Sequence, residues 1–298
     1  MPANQRWVIT GSDGFVGRAL SASSRGAVAS LRLGGDDWKA HIAATDFRGA
    51  VVYHLAGRVH GTDGDEAAWM RDNASKTETL ALAAAQGGAR RIVFLSTIKV
   101  NGEETLSAPF RTADAPRPAD AYARSKWEGE RLLAAAAAAK GLEYAIVRSP
   151  LVIGPVAPGN LASLVRLCDS PWPLPFASIR NRRTFIARED LVALLMRCSE
   201  SPRAAGRTFL AGDPDAVSTP RLVTVVREAL GRSPKLFGLA AGVLESLGAL
   251  GGQGDRMRRL TRSLEVDCKD AMETLEWAPR RAMDDALREM ARSAKERA

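Results

Sequence analysis

Apolar residues in the first 150 positions come in short unbroken runs, at 7–10, 27–31, 51–55, 91–96 and 143–148. Longer stretches with helical spacing separate them, at 15–23, 65–86 and 119–140. A strand that is apolar at consecutive positions is buried on both faces, as in a parallel sheet covered by helices. The alternation predicts an α/β fold, a Rossmann-type doubly wound parallel sheet. The alanine run at 134–139 is low in complexity, yet alanine is the best helix former, so it reads as a packed helix face. After Pro150 the pattern changes. Pro155, Pro158, Pro171, Pro173 and Pro175 break the chain into loops, followed by a helix near 189–198, a strand at 208–211 and a helix from Thr219. The expected organisation is a Rossmann domain over 1–150 and a smaller C-terminal lobe over 151–298, with some of its segments returning to the first domain.

Composition narrows the function classes. Of 298 residues, 46% are apolar and 26% charged, the balance of an ordered soluble protein. The net charge is +8, but the basic residues are scattered apart from Arg256, Arg258, Arg259 and Arg262, and none alternates with aromatics as a base-stacking platform requires. No nucleic acid partner is expected; an anionic small molecule uses the charge better. Cys168, Cys198 and Cys268 lie far apart without CxxC spacing, which fits neither a disulfide framework nor a zinc site and points to a reducing, cytoplasmic setting. His41, His54 and His60 lack partners at ligand spacing, so no metal is expected. No leader precedes the first strand, and no run of about 20 apolar residues exists, so no membrane insertion is expected. The nearest approach, 236–250, is interrupted by Glu245 and several glycines and reads as an amphipathic helical segment of the small lobe.

Two motifs carry chemistry. Gly11, Gly14 and Gly17 in Gly11-Ser12-Asp13-Gly14-Phe15-Val16-Gly17 follow the first strand and open the first helix. The first glycine permits a tight turn, the second lets backbone approach a pyrophosphate, and the third allows close helix–strand packing. The free N–H groups of the helix start then face the phosphates. The second motif is Tyr122 and Lys126, four apart in the 119–140 helix and so on one face. A phenol with an ordinary pKa of about 10 is a poor base at neutral pH, and a nearby ammonium favours its ionised form. Tyr122 then acts as general acid in a reduction and general base in an oxidation.

The GxxGxxG spacing resembles the extended branch of the short-chain dehydrogenase/reductase superfamily, the NAD-dependent epimerase/dehydratase family. Val52-Tyr53-His54-Leu55-Ala56-Gly57 looks like that branch's fourth-strand motif. The resemblance implies NAD or NADP at Gly11, Asp13, Gly14, Phe15, Val16, Gly17, Leu55, Ala56, Gly57, Asn73, Ser96, Tyr122 and Lys126. The second strand ends in Arg32 where an acid usually binds the adenosine ribose of NAD, and a guanidinium there suits the 2′-phosphate of NADP. The preference leans to NADP. Counting back from Gly102, the resemblance makes Thr97 the hydroxyl that holds the reacting oxygen, with Ser96 as the alternative.

Phe94 to Glu103 and Tyr122 to Glu128 are similar to a branch of nucleotide-sugar enzymes that includes UDP-4-keto-sugar reductases making N-acetylquinovosamine-type units for surface polysaccharide. Ile98 and Lys99 replace the Asp-Glu pair of 4,6-dehydratases, so dehydration is not expected; Asn101 replaces the tyrosine of common hexose epimerases. On the substrate side the resemblance implies Thr97, Lys99, Asn160, Phe176 and Arg183, plus a second phosphate contact from Arg258 or Arg259. Spacing does not decide between these two, and Arg258 is placed first. The leading expectation is NAD(P)H-dependent reduction of a UDP-4-keto sugar at C4. A UDP-hexose 4-epimerase with tightly bound NAD and a non-catalytic NADP(H) sensor are the alternatives. The family also implies a homodimer through the 65–86 and 119–140 helices.

Overall fold

The structure is a computed structural model and describes residues 6–59 and 65–296; His60 lies outside them. β1 (Trp7–Thr10), β2 (Val28–Leu31), β3 (Val51–His54), β4 (Arg91–Thr97) and β5 (Glu143–Ser149) form a parallel sheet in the order β2-β1-β3-β4-β5, closed by β8 (Arg207–Leu210) beside β5. The registers pair Trp7 with both Val28 and Val51, and Arg91 with Glu143. The order reverses between β1 and β3, and in such sheets ligands bind at that switch point, outside the carboxyl ends of the strands. The ends that matter are therefore Thr10, His54 and Thr97.

The central strands β1, β3, β4 and β5 are largely buried on both faces, whereas the edge strand β2, read from its apolar run as doubly covered, is mostly exposed because no strand lies beyond it. One layer joins Ile9, Tyr53, Val93 and Val147 to α1 (Phe15–Ala22) and α7 (Arg188–Glu200). The other joins Val8, Val52, Ile92 and Phe94 to α4 (Lys76–Gln86) and α5 (Ala121–Lys140), with α2 (Trp38–Ala43) beyond. A third apolar cluster forms in the C-terminal part, where Leu161, Leu164, Phe176, Phe185, Val226 and Leu287 meet. There the two-stranded ladder of β6 (Leu151–Ile153) and β7 (Phe185–Ala187) sits with α6 (Asn160–Cys168), α8 (Thr219–Ala229) and α12 (Met283–Lys295). α9 (Ala241–Leu250) and α10 (Gly254–Thr261) pack as a hairpin, and α11 (Lys269–Leu275) lies near β8.

Two helices differ from the expected spans. The 65–86 helix is α3 (Glu66–Met70), a π-helical turn (Arg71–Ser75) and α4. π-turns of this kind favour functional positions, and this one carries Asn73. α5 starts at Ala121 because Asp120 is its N-cap, accepting from the Ala123 amide at 2.7 Å. The 236–250 segment divides: Leu236 and Gly238 bridge to Leu174 and Phe176, and only then does α9 begin. Cys168, Cys198 and Cys268 are buried free thiols. Among the described residues no helix is long and apolar enough to cross a membrane.

Candidate active site

The glycine loop leaves β1 at Gly11, whose φ of +70° belongs to the left-handed region. A Cβ there would meet the Ala56 amide nitrogen at 2.8 Å, and one on Gly17 would lie 2.0 Å from the Gly11 carbonyl oxygen. The first and third glycines are thus demanded by packing. Gly14 is exposed and N-caps α1; no side chain caps this helix and no acid stands in its first turn. Its forward-pointing N–H groups fit a pyrophosphate. Phe15 and Val16 turn to the apolar clusters, and Asp13 is exposed, its carbonyl held by Arg18. Ser12 and Ser30 share a 2.6 Å hydrogen bond across the loop and the end of β2. Arg32 is exposed and forms no ion pair among the described residues.

Below this loop lies a directed hydrogen-bond chain. The Thr77 hydroxyl donates to the Asn73 carbonyl at 2.7 Å, so it accepts from His54 Nε2–H at 2.9 Å. His54 Nδ1 is then the acceptor of the Thr10 hydroxyl at 2.7 Å. The Thr10 oxygen accepts the Leu55 and Ala56 amides, each at 3.1 Å. Burial and the nearby Lys126 charge pull His54 down to about 3, which keeps the ring neutral in that tautomer. Asn73 completes the chain: its Oδ1 accepts the Arg58 amide at 2.7 Å, and its Nδ2 donates to the Arg58 carbonyl and to Ser125 Oγ. Gly57 is bare because a Cβ would press on Asn73 Oδ1 at 2.9 Å, and Gly129 because one would strike the Asn73 carbonyl at 2.6 Å. Sequence reasoning found Asn73 but not Thr10, Thr77, Ser125 or Gly129; the glycine seven residues after Tyr122, on the same helix face, was the available signal.

Tyr122 and Lys126 stand one turn apart on α5, beside the end of β4. Thr97 hydrogen-bonds the Tyr122 hydroxyl, and the Trp69 ring lies 5.8 Å from the Tyr122 ring. Burial pushes Tyr122 up to about 12 against the opposing pull of Thr97. Burial draws Lys126 down to about 7, with Glu130 opposing. Lys126 Nζ donates to the Leu95 carbonyl at 2.8 Å and sits 3.9 Å from the centre of the Phe94 ring. The two shifts share one cause: in a low-dielectric site the neutral form of each group is favoured. Ser96, expected at the cofactor, instead gives its hydroxyl to the buried Glu130. Neighbouring side chains on a strand point to opposite faces, so only one of Ser96 and Thr97 can reach Tyr122.

Further cations gather toward the C-terminal lobe. Lys99 is held between Glu103, at 2.8 Å, and Asp120, so its charge is already matched. Arg183 is partly buried and donates to the Arg262 carbonyl at 3.0 Å. Burial and the adjacent Arg259 charge bring it down to about 10, with Glu103 opposing. Arg259 joins Asn160, Gln253, Asp255 and Arg256 around an open cavity of about 530 Å³. Arg258, placed first from the sequence, pairs with Asp255 one turn back. Successive helix positions are about 100° apart, and the arginine near Arg183 is Arg259. Phe176, expected at a base-binding stretch, is 2% exposed in the apolar cluster and presents no ring to the cavity. Neither Arg183 nor Arg259 has an acidic partner within ion-pair distance among the described residues, so the pair is a cationic site suited to a dianion.

Known proteins place this geometry in a family. The sequence profile of the NAD dependent epimerase/dehydratase family matches residues 7–212. A UDP-glucose 4-epimerase of Vibrio cholerae is 35% identical over 309 aligned positions, covering 96% of this chain and 94% of that protein. Among solved structures, RMD from Pseudomonas aeruginosa complexed with NADPH aligns with a TM-score of 0.79 at 19% identity, covering 99% and 100% of the two chains. UDP-glucuronic acid 4-epimerase from Bacillus cereus in complex with NAD aligns with a TM-score of 0.77 at 19% identity, covering 98% and 99%.

Proposed function

The chain belongs to the NAD dependent epimerase/dehydratase family, and on that premise we propose that it reduces C4 of a UDP-linked 4-keto sugar with NADPH. Tyr122 carries the reading: its phenol is held protonated, beside Thr97 and Lys126, at the carboxyl end of β4. When bound, the nicotinamide supplies the hydride that arrives at C4. Tyr122 gives its proton to O4, Thr97 holds that oxygen, and Lys126 holds the nicotinamide ribose and stabilises the phenolate left behind. Burial keeps the Tyr122 phenol protonated, as a proton donor to O4 must be. Gly14 and the start of α1 would bind the pyrophosphate, and Arg32 with Ser12 and Ser30 the 2′-phosphate of NADPH. Arg183, Arg259 and Asn160 would hold the UDP diphosphate, which gives their unmatched charge a partner. The same reading extends to sugars of the N-acetylquinovosamine type for surface polysaccharide, and to a homodimer through the outer sides of α4 and α5, where Leu82 and Leu132 are partly exposed.

The Vibrio relative favours a second reading, a UDP-hexose 4-epimerase that oxidises and re-reduces C4 on retained NAD. Releasing and identifying any bound nucleotide, then assaying UDP-sugar turnover with and without NAD(P)H, separates the two. Stoichiometric NADPH consumption by a UDP-4-keto sugar supports the reductase. Tightly bound NAD with cofactor-free interconversion of 4-epimers replaces it with the epimerase.

A further inference from the structure

The ion pair of Glu130 and Arg148 takes no part in the chemistry above, yet it is the most deeply buried pair beside it, with side chains 2% and 5% exposed. Arg148 Nη2 lies 2.7 Å from Glu130 Oε2, and Nε lies 3.1 and 3.2 Å from the two carboxylate oxygens. Each partner keeps one further bond. Glu130 Oε1 accepts the Ser96 hydroxyl, and Arg148 Nη1 donates to Asn101 Oδ1 at 2.9 Å. Asn101 Nδ2 in turn donates to the Arg111 carbonyl at 3.2 Å, and the guanidinium faces the Trp127 ring at 5.4 Å.

These contacts have a common centre. Ser96 is the residue before Thr97, and Asn101 ends the 3₁₀ turn that follows it. Glu130 stands on α5 one turn beyond Lys126 and two beyond Tyr122, and Arg148 is on β5. One planar, charge-assisted fork therefore ties both flanks of Thr97 to the helix that carries Tyr122. Buried ion pairs add little net stability once desolvation is counted. Their fixed bond directions instead confer orientation. β4 ends at Thr97, so the ladder alone guides the hydroxyl from one side only.

We propose that Glu130 and Arg148 are positioning residues, a clamp that sets Thr97 and the turn to Asn101 against Tyr122 and so fixes the distance over which O4 is held and protonated. The clamp rests on the roles proposed above for Thr97 and Tyr122. Small misplacements of reacting groups cost about 100-fold in rate, which makes such a clamp measurable in kcat.

The test is the double variant Glu130→Met/Arg148→Met, which removes both charges and leaves neither unpaired. Its melting temperature and its KM for the UDP sugar should stay near wild type, while kcat falls at least about tenfold. Amide hydrogen exchange from Lys99 to Gly102 should speed up. A folded double variant with wild-type kcat and unchanged exchange overturns the clamp. If that variant does not fold, Ser96→Ala/Asn101→Ala decides, because it cuts both outgoing bonds and keeps the ion pair. A kcat loss at constant KM supports the clamp there, and wild-type kcat overturns it. Should the wild type turn over no UDP sugar, the proposed function fails, and the exchange rates still decide the clamp.

Discussion

The two ends of the site are built on opposite principles. At the proposed cofactor end the buried polar side chains beneath the glycine loop are matched inside the protein, while the start of α1 and Arg32 stay open. Thr10, His54, Thr77 and Asn73 form a closed, directed chain, and the bare glycines exist because backbone and amide occupy the space a Cβ needs. At the proposed substrate end Arg183 and Arg259 lie near each other with no ion-pair partner among the described residues, and Arg259 lines a cavity open to water. The hydrogen-bond chain of the first end is closed before any ligand arrives. The second is completed only by an anion. Pre-organisation fixes the geometry beneath the glycine loop, whereas unmatched charge attracts an anionic ligand.

The sharpest challenge to this contrast lies between the two ends. Tyr122→Phe keeps the ring against Trp69 and removes only the proton donor, so kcat should fall about 10³-fold, or about 4 kcal/mol, with cofactor binding intact. Steady-state kinetics beside a cofactor titration check this; retained turnover removes Tyr122 from the chemistry. Next in size is Gly17→Ala. Its methyl would sit 2.0 Å from the Gly11 carbonyl, so backbone must shift, at a cost of about 3 kcal/mol and with loss of dinucleotide binding. Urea denaturation reads the cost, and a variant as stable as wild type would show that the loop is not packed as described.

The same contrast explains what was legible in the sequence. The sheet, the glycine loop and the Tyr122–Lys126 face are local patterns, set by periods of two and 3.6 and by fixed spacing, and they lie where the spacing predicts. Asn73 was legible by position, but the π-turn that seats it was not, because the room it packs into is left by Gly129, 56 residues later in the chain. Ser96 and Thr97 are adjacent polar residues, and only the buried Glu130 reveals which of them turns away. The proposed substrate end is assembled from α6, the stretch before β7, and α10. Nothing local tells Arg258 from Arg259 until the helix phase relative to Arg183 is known.

pH separates the two ends in stability. His54 is neutral in the fold, with its pKa lowered to about 3, whereas an unfolded histidine titrates near its ordinary value of about 6.5. Below about 6.5 the unfolded chain binds a proton that the fold refuses. The contribution is therefore full above that pH and is lost as pH falls toward 3. Between pH 7 and 5 this one residue should remove about 2 kcal/mol. Chemical denaturation across that range reads it, and a His54→Gln variant should show a flatter profile. A wild-type profile with no slope between pH 6.5 and 5 would mean that His54 is protonated in the fold and the directed chain is wrong.

The smallest effect belongs to the arginines, and it distinguishes neighbours. Arg259→Ala removes one of two neighbouring cations and should raise KM for the UDP sugar about tenfold with little change in kcat, since a diphosphate is held equally before and during the chemistry. Arg258→Ala breaks only an exposed pair with Asp255 inside α10, worth well under about 1 kcal/mol, and should leave KM unchanged. Removing Arg259 also relieves Arg183 of a like charge, so the unliganded protein should lose no stability and gain a little, the opposite sign from its effect on binding. That inversion marks a residue whose charge is matched only by its ligand. If Arg258→Ala raises KM and Arg259→Ala does not, the phase of α10 is turned by one residue, and the cationic site at the open end must be rebuilt around Arg258.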